Sequence, residues 1–196
     1  MPIVIVTQTG RPSDQEMENT TSRSKDADKW PPHRVYEVLG YASRGQWDRV
    51  GSALDAGFPV NATGTSGANS LLHWAARHGC MPMLRRLLAL GAHVDVRAFY
   101  QQTSAHYAAY VGFVDGLVAL VENGADVNAR DSCMHTPLHT AVSQSLPCTR
   151  YLLSLPQLDL SATNQFGQTV EDYAWVHGQP AASDAVRAEV RAASWR

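Results

Sequence analysis

The chain has 196 residues, a formal net charge of −2, and charged residues at only 17% of its positions. Proteins that bind nucleic acids are usually strongly basic, because they must neutralise phosphates, so this balance argues against a nucleic-acid partner. Apolar residues make up 44% of the chain, enough to bury a core, yet no run approaches the roughly 20 apolar residues that span a bilayer.

The first 32 residues differ in composition from the rest of the chain. Residues 7–29 are rich in Ser, Thr and charged side chains and have few apolar ones, so burial cannot offset the entropy lost on ordering. We therefore predict a flexible N-terminal tail over residues 1–32 and a folded domain over residues 33–196. The β-branched run at residues 3–6 is an exception, because it could add a strand to the sheet edge of another protein.

Similar segments recur every 33 residues along the predicted domain. His73, His106 and His139 each take the fourth position of a similar heptapeptide, and Asp172 takes the next equivalent position. Such a period is typical of repeat proteins, in which each unit buries its apolar face against its neighbours. The predicted units cover about residues 33–65, 66–98, 99–131, 132–164 and 165–196.

Each unit has the pattern of two short helices. Thr136 is suited to cap a first helix and Pro137 to occupy its first position, where the missing amide hydrogen is not needed. Apolar residues at helical spacing, such as those in residues 83–88, then predict a second helix. Gly91 and Gly124 follow these second helices, and we expect them in left-handed C-terminal caps.

The repeat unit also has a familiar sequence. Residues 136–139 read T-P-L-H and residues 124–129 read G-A-D-V-N-A, and with the 33-residue period this pattern resembles the ankyrin repeat. The resemblance covers about 160 of the 196 residues. It implies an all-α solenoid of about five helix-turn-helix units with short β-turn arms. It also implies that His73, His106 and His139 are structural and bond to the turn of the neighbouring unit.

Some positions depart from that family's pattern. Gln101 and Met134 stand where a turn glycine is usual, and Asp172 replaces the repeat histidine, as is common in terminal units. Pro156 must end the second helix of the fourth unit, because it has no amide hydrogen and clashes with the preceding turn. We expect this unit to be the least regular of the five.

The resemblance implies that the first helices and the turn tips form one concave face that binds a partner. Tyr and Trp side chains supply much of the energy at such surfaces, because they give large contact areas at low entropic cost. We therefore expect a monomeric, non-catalytic module for a neutral or mildly acidic protein or peptide. The expected contacts are Trp74, Arg77, His78, Phe99, Tyr100, Tyr107, Tyr110, Met134, Thr140 and Tyr173. An alternative for Trp74 and Tyr107 is that they fill space between units.

Other interpretations stay open. The module could be an adaptor that recruits a client to an enzyme assembly and uses the N-terminal tail as its second contact. The family resemblance also suggests hydroxylation of Asn128, which lies in a Val-Asn-Ala arm like the modified asparagines of some members.

A cysteine- and histidine-based enzyme or metal protein is a third interpretation. Cys80 lies near the start of a second helix with only His78 as a nearby base, and the chain has no phosphate-binding loop or protease motif. Histidines from adjacent units would lie about 10 Å apart, too far to share a zinc ion. We therefore expect no catalytic residue, cofactor or metal, and His135 has no evident ligand partner. The three cysteines, which lack CxxC spacing, favour a reducing compartment, either cytoplasm or nucleus.

Overall fold

The computed structural model describes residues 30–64, 68–177 and 180–193. Within these residues the chain forms ten α-helices in five consecutive pairs and no strand, apart from one isolated bridge between Thr163 and Thr169. The helices are α1 (Pro32–Ser43), α2 (Trp47–Asp55), α3 (Leu71–Arg77), α4 (Met81–Ala89), α5 (Ser104–Val111), α6 (Val114–Glu122), α7 (Pro137–Gln144), α8 (Leu146–Leu153), α9 (Val170–Val176) and α10 (Pro180–Ala193). The predicted all-α solenoid is confirmed.

The helices are arranged in two layers. The first helices α1, α3, α5, α7 and α9 pack side by side in that order, and the second helices α4, α6, α8 and α10 do the same. Alanine pairs such as Ala75–Ala76 are completely buried, which allows neighbouring backbones to approach closely. The largest fully buried side chains include Leu71, Leu72, Leu84, Leu87, Leu117, Leu120, Leu138 and Leu152.

Four of the first helices begin with the same cap. At α5 the Thr103 amide nitrogen lies 3.2 Å from Nδ1 of His106, and the Thr103 hydroxyl oxygen lies 3.0 Å from the same atom. The histidine ring therefore accepts bonds from groups that a helix start would otherwise leave unpaired. The same arrangement joins Ser70 to His73, Thr136 to His139 and Thr169 to Asp172.

The repeat histidines also connect neighbouring units, though not all of them do so. Because Nδ1 accepts the capping bonds, the ring proton belongs on Nε2. Nε2 of His73 donates to the Gln102 carbonyl at 3.2 Å, and Nε2 of His106 donates to the His135 carbonyl at 3.0 Å. Nε2 of His139 is buried without a hydrogen-bond partner among the described residues. Burial lowers the pKa of His139 and the nearby Gln168 backbone acts in the opposite direction, but no atom of the described residues meets hydrogen-bond geometry at Nε2. The implied bond to the next turn is therefore not formed with normal geometry in the fourth unit.

Left-handed residues occur at two places in a unit, the caps that follow the second helices and the tips of the turns. Gly91 and Gly124 have φ of 79° and 89°, respectively. Gln101 and Met134 have φ of 59° and 61° at the positions where the sequence lacks the usual turn glycine. A side chain in this conformation costs roughly 1–2 kcal/mol, so neighbouring bonds must hold these turns in place.

The fourth pair has the least regular connection. Ser145 alone joins α7 to α8, with φ of −149°, and its hydroxyl caps α8. Helix α8 ends at Leu153, before Pro156, as the sequence predicts.

A membrane-crossing helix would need a longer apolar stretch than any helix in the described part of the chain provides.

The N-terminal boundary differs from the predicted one. Trp30, assigned to the tail, packs edge-on against Phe58 with ring centroids 5.1 Å apart. Its Nε1 donates to the Gly57 carbonyl at 3.1 Å. Trp30 therefore belongs to the folded first unit, although the composition of the N-terminal segment had assigned it to the tail. The β-branched run at residues 3–6 and the rest of the predicted tail up to residue 29 lie outside the described residues.

The arms of successive units are joined by asparagine side chains. Nδ2 of Asn128 donates to the Gln157 carbonyl at 2.8 Å, and its Oδ1 accepts from the Asp159 amide at 2.9 Å. Asn61 makes the corresponding bonds to the second unit, at 3.1 Å and 2.8 Å. Both polar atoms of Asn128 are thus occupied, and its hydroxylation stays a prediction.

We expect Asn128→Ala to lower the free energy of unfolding by about 1–2 kcal/mol, because two partly exposed hydrogen bonds between units are lost. Urea unfolding followed by circular dichroism would measure the change. Asn123→Ala is the matched control, since among the described residues the Asn123 side-chain amide donates only within its own turn, to the Ala119 carbonyl at 2.8 Å. Equal losses in the two variants would contradict a linking role for Asn128.

Candidate functional site

The residues expected to bind a partner differ widely in exposure. Tyr100 is 76% exposed, whereas Tyr107 is only 8% exposed. Exposed members of the set are Arg77, His78, Phe99, Tyr100, Tyr110 and Met134, and half-buried members are Trp74, Thr140 and Tyr173. Burial therefore divides the expected contacts into surface groups and groups that hold the stack together.

The tips of three turns form a connected row, called here the turn-tip row: Phe99, Tyr100, Cys133, Met134 and Phe166. The Ser132 amide donates to the Tyr100 carbonyl at 2.7 Å, and the Gln165 amide donates to the Cys133 carbonyl at 3.0 Å. Tyr100 and Phe166, 66 residues apart in the chain, therefore stand one turn to either side of Cys133.

An arginine strengthens the base of this row. Nη1 of Arg97 donates to the Arg130 carbonyl at 2.6 Å and to the Gln101 carbonyl at 3.3 Å. The backbone of the Tyr100 turn is thereby bonded on both sides. The row thus presents large apolar side chains, with Tyr100 76% and Phe166 75% exposed, on a backbone already held in place.

The structure corrects the expectation for Tyr107. Its hydroxyl donates to Oδ1 of Asn69 at 3.0 Å, and its ring packs edge-on against His73 with centroids 5.5 Å apart. The Arg77 guanidinium covers the ring from 5.8 Å. Tyr107 therefore fills space between units, which is the alternative that the sequence left open, and does not present its ring to a partner.

His78 is exposed but also bonded within the stack. Its Nε2 lies 3.1 Å from the Ser43 carbonyl, and its ring packs edge-on against Trp47 at 5.7 Å. The Trp74 ring lies 6.3 Å from the same imidazole. His78 thus connects the second helix pair to the first, and part of its ring is committed to that contact.

At the other end of the first layer, Tyr173 lies in a cluster of rings. Its centroid is 4.0 Å from that of His177, 4.8 Å from His135 and 5.8 Å from His139. Burial raises the pKa of Tyr173, and the charge of the nearby Asp131 carboxylate raises it further. Its phenol therefore stays protonated and neutral at physiological pH.

Trp175 is a surface residue that the sequence analysis missed. It lies on α9 and is 71% exposed, beside Val176 at 62%. Residues two positions apart on a helix point in different directions, so Trp175 was not expected on the partner-binding face that includes Tyr173. No sequence signal distinguishes Trp175 from a core tryptophan.

Three ligand-type side chains meet in the turn before α7. One donor atom each from Asp131, Cys133 and His135 lies within 4.8 Å of the other two, and Asp131 Oδ2 is 3.9 Å from His135 Nδ1. The expectation that His135 has no ligand partner is therefore wrong. The sequence signal for this cluster is D-x-C-x-H over residues 131–135, a local motif that is independent of the 33-residue period.

Hydrogen bonds of the Asp131 carboxylate organise this cluster. Its Oδ1 accepts from the Cys133 amide at 2.8 Å and from the His135 amide at 2.9 Å. Burial lowers the pKa of His135, while the Asp131 charge acts in the opposite direction. The imidazole is therefore neutral at physiological pH, the form in which it can bind a metal.

Cys80, the candidate nucleophile, has different surroundings. It is half-buried and lines a cleft of about 490 Å³ between α2 and α4, whose wall carries the ion pair of Arg86 with Asp55. His78 turns its Nε2 to the Ser43 carbonyl. Cys148 is buried, and burial raises the pKa of its thiol, which disfavours the reactive thiolate.

Comparison with known proteins agrees with this architecture. Residues 41–131 match a family model described as ankyrin repeats in three copies. The mouse ankyrin repeat domain-containing protein 37 is 38% identical over 99 residues, which are 50% of this chain and 62% of that protein.

Two longer relatives match over a wider part of this chain. The human SH3 and multiple ankyrin repeat domains protein 1 is 33% identical over 132 residues, 65% of this chain and 6% of that protein. The Drosophila melanogaster palmitoyltransferase Hip14 is 30% identical over 134 residues, 65% of this chain and 21% of that protein. In each of the three relatives the matched part spans less than two thirds of the protein's own length.

Proposed function

We propose that this chain binds a protein partner through the turn-tip row and the adjoining first-helix face, because residues 41–131 match ankyrin repeats, which are protein–protein interaction modules. The observation that carries the proposal is the exposure of Phe99, Tyr100 and Phe166, at 55%, 76% and 75%. A single exposed apolar side chain is common on protein surfaces. Several large aromatic side chains held at adjacent positions on a fixed backbone are instead typical of a binding surface.

The chemistry of the row indicates the kind of partner. Its exposed side chains are apolar or phenolic, and the neighbouring face adds the exposed cation Arg77 and the exposed Tyr110. We expect these groups to recognise an apolar segment of a protein that is uncharged or mildly acidic. The backbone bonds between turns are made before binding, so little conformational entropy is lost on association.

The proposed role is non-catalytic. The match to the palmitoyltransferase covers 21% of that protein, and the transferase activity in its name is not carried over to this chain. The half-buried Cys80 and the exposed His78 face different neighbours, Cys80 the α2–α4 cleft and His78 the Ser43 carbonyl. Neither residue therefore serves in the proposal as a nucleophile or a base.

A double substitution in the row tests the proposal. Proteins captured by the wild-type chain would be identified by mass spectrometry, and the affinity of each purified partner would then be measured. We expect Tyr100→Ala with Phe166→Ala to weaken binding roughly tenfold or more, about 1.4 kcal/mol, because two exposed rings leave the interface.

The matched control is Leu90→Ala, which removes an apolar side chain that is 50% exposed just beyond the end of α4. We expect it to leave the affinity unchanged. Thermal unfolding of each variant would establish that the stack is intact. A folded double variant with wild-type affinity would exclude the turn-tip row as the binding surface.

A further inference from the structure

The turn between α6 and α7 holds a set of donor atoms whose chemistry goes beyond the proposed partner-binding role, although one of them, Cys133, also lies in the turn-tip row. We infer that Asp131, Cys133 and His135 bind one divalent ion of the zinc type. The inference rests on a carboxylate oxygen, a thiol sulfur and an imidazole nitrogen that lie within 4.8 Å of one another. These are the three donor types that zinc uses in proteins.

The distances are close to those of a metal site. Bonds of about 2.0–2.3 Å in tetrahedral geometry place neighbouring donor atoms roughly 3.3–3.6 Å apart. Oδ2 of Asp131 and Nδ1 of His135 are already 3.9 Å apart. Small rotations of the half-buried Cys133 and His135 side chains would bring the three atoms onto one ion, with the His135 ring turning against the Tyr173 ring 4.8 Å away.

The local backbone is held in the form that the site requires. Oδ1 of Asp131 accepts from the Cys133 and His135 amides, and Oδ2, which accepts a long bond from Gln102 Nε2 at 3.5 Å, lies 3.9 Å from Nδ1 of His135. Between the other two ligands lies Met134, whose φ of 61° reverses the chain. One carboxylate therefore positions the two other ligands through one oxygen and offers its second oxygen to the ion.

Binding of the ion through Nδ1 of His135 changes the hydrogen bonding of the other ring nitrogen, Nε2. His135 Nε2 lies 3.4 Å from Nδ2 of Asn164, a long contact that gives way when the ring proton moves to Nε2 and Nδ1 takes the ion. The Asp131 carboxylate and the Cys133 thiolate together balance the two charges of the ion. Each ion bound thus displaces one proton, from the Cys133 thiol to solvent. Three protein ligands leave one position for water or for a group of a partner.

Zinc alone is the probe in the first experiment. The untagged 196-residue chain, freed of metal with a chelator, would be titrated with Zn²⁺ by calorimetry in two buffers of different ionisation enthalpy. We expect one ion per chain and release of one proton. Titration with Co²⁺ is expected to give a thiolate-to-cobalt charge-transfer absorption. Because this absorption requires a sulfur ligand, it tests for one in the wild-type chain itself.

Matched variants locate the site. We expect Cys133→Ser and His135→Gln to weaken Zn²⁺ binding roughly tenfold or more, and Cys133→Ser to abolish the charge-transfer absorption. Cys80→Ser, the change of another half-buried free thiol, should alter neither. Absence of Zn²⁺ binding by the wild-type chain, or a spectrum and affinity that persist in folded Cys133→Ser, would overturn the inference. Partner affinity measured with and without chelator is a separate readout, so failure here leaves the proposed binding function intact.

Discussion

Lowering the pH from 7.5 to 5 is expected to destabilise the folded chain by about 4 kcal/mol through two buried histidines. Burial lowers the pKa of His73 to about 4 and that of His139 to about 4. In the unfolded chain both have an ordinary pKa near 6.5. The unfolded state therefore binds more protons between pH 6.5 and 4, so stability is lost as the pH falls through that window.

The size of the effect follows from the two pKa values. At pH 5 an unfolded histidine is almost fully protonated, while its buried counterpart is largely neutral, a difference of about 2 kcal/mol for each residue. Burial lowers the pKa of His106 as well, which adds to the loss. The pKa of Asp172 is lowered by bonds from Thr169, and its contribution disappears only at more acidic pH, below the histidine window.

Urea unfolding at the two pH values would measure this change. The control variant is His93→Ala, which removes an exposed imidazole and should keep the wild-type pH dependence. A free energy of unfolding that is the same at pH 7.5 and pH 5 would show that the buried histidines do not carry the pH dependence assigned to them.

Replacing His106 by alanine should cost about 3 kcal/mol of folding stability, the second large effect. The imidazole is 1% exposed and joins three groups: the Thr103 amide, the Thr103 hydroxyl and the His135 carbonyl. Alanine would leave these groups without that partner in the interior and would open a cavity.

His139→Ala is the matched control, because the two histidines have the same cap and differ in one bond. Nε2 of His139 has no partner among the described residues, whereas Nε2 of His106 donates to the His135 carbonyl. We expect the loss at His139 to be smaller by about 1 kcal/mol. Losses that are equal, or larger at His139, would show that the bond between units contributes little.

For His106 and His139, the local helix cap is predictable from the sequence and the bond to the next unit is not. Both lie in the same heptapeptide context, and the cap that each forms with the threonine three residues earlier is local. The bond to the next unit depends on the position of a carbonyl 29 residues away in the chain, which is fixed only when the next unit packs against this one. Sequence thus predicted the cap and could not predict the missing bond.

The candidate surface shows a similar division. Exposure of Phe99, Tyr100 and Met134 followed from their place at turn tips, where the chain has no neighbour to bury them. Tyr107 lies on a helix, and the repeat register alone placed it on the open face. Its burial is decided by Asn69 and His73 of the preceding unit, which provide a hydrogen bond and an apolar contact.

The metal-type cluster was overlooked for a different reason. Asp131, Cys133 and His135 alternate with other residues, and in an extended chain they would project from the same side but about 7 Å apart. Met134, with its positive φ, and the bonds to Asp131 Oδ1 fold this segment into a turn that brings the donors within 4.8 Å.

The sequence by itself determined the period, the helix pairs, the caps and the glycines of the turns, because each depends on backbone bonds between residues at most a few positions apart. Only the tertiary structure decided that Tyr107 is buried, that Trp175 is exposed and that His139 lacks its bond. These outcomes depend on contacts between units that meet some 30 residues apart in the chain, and residue identity at one position does not encode those contacts.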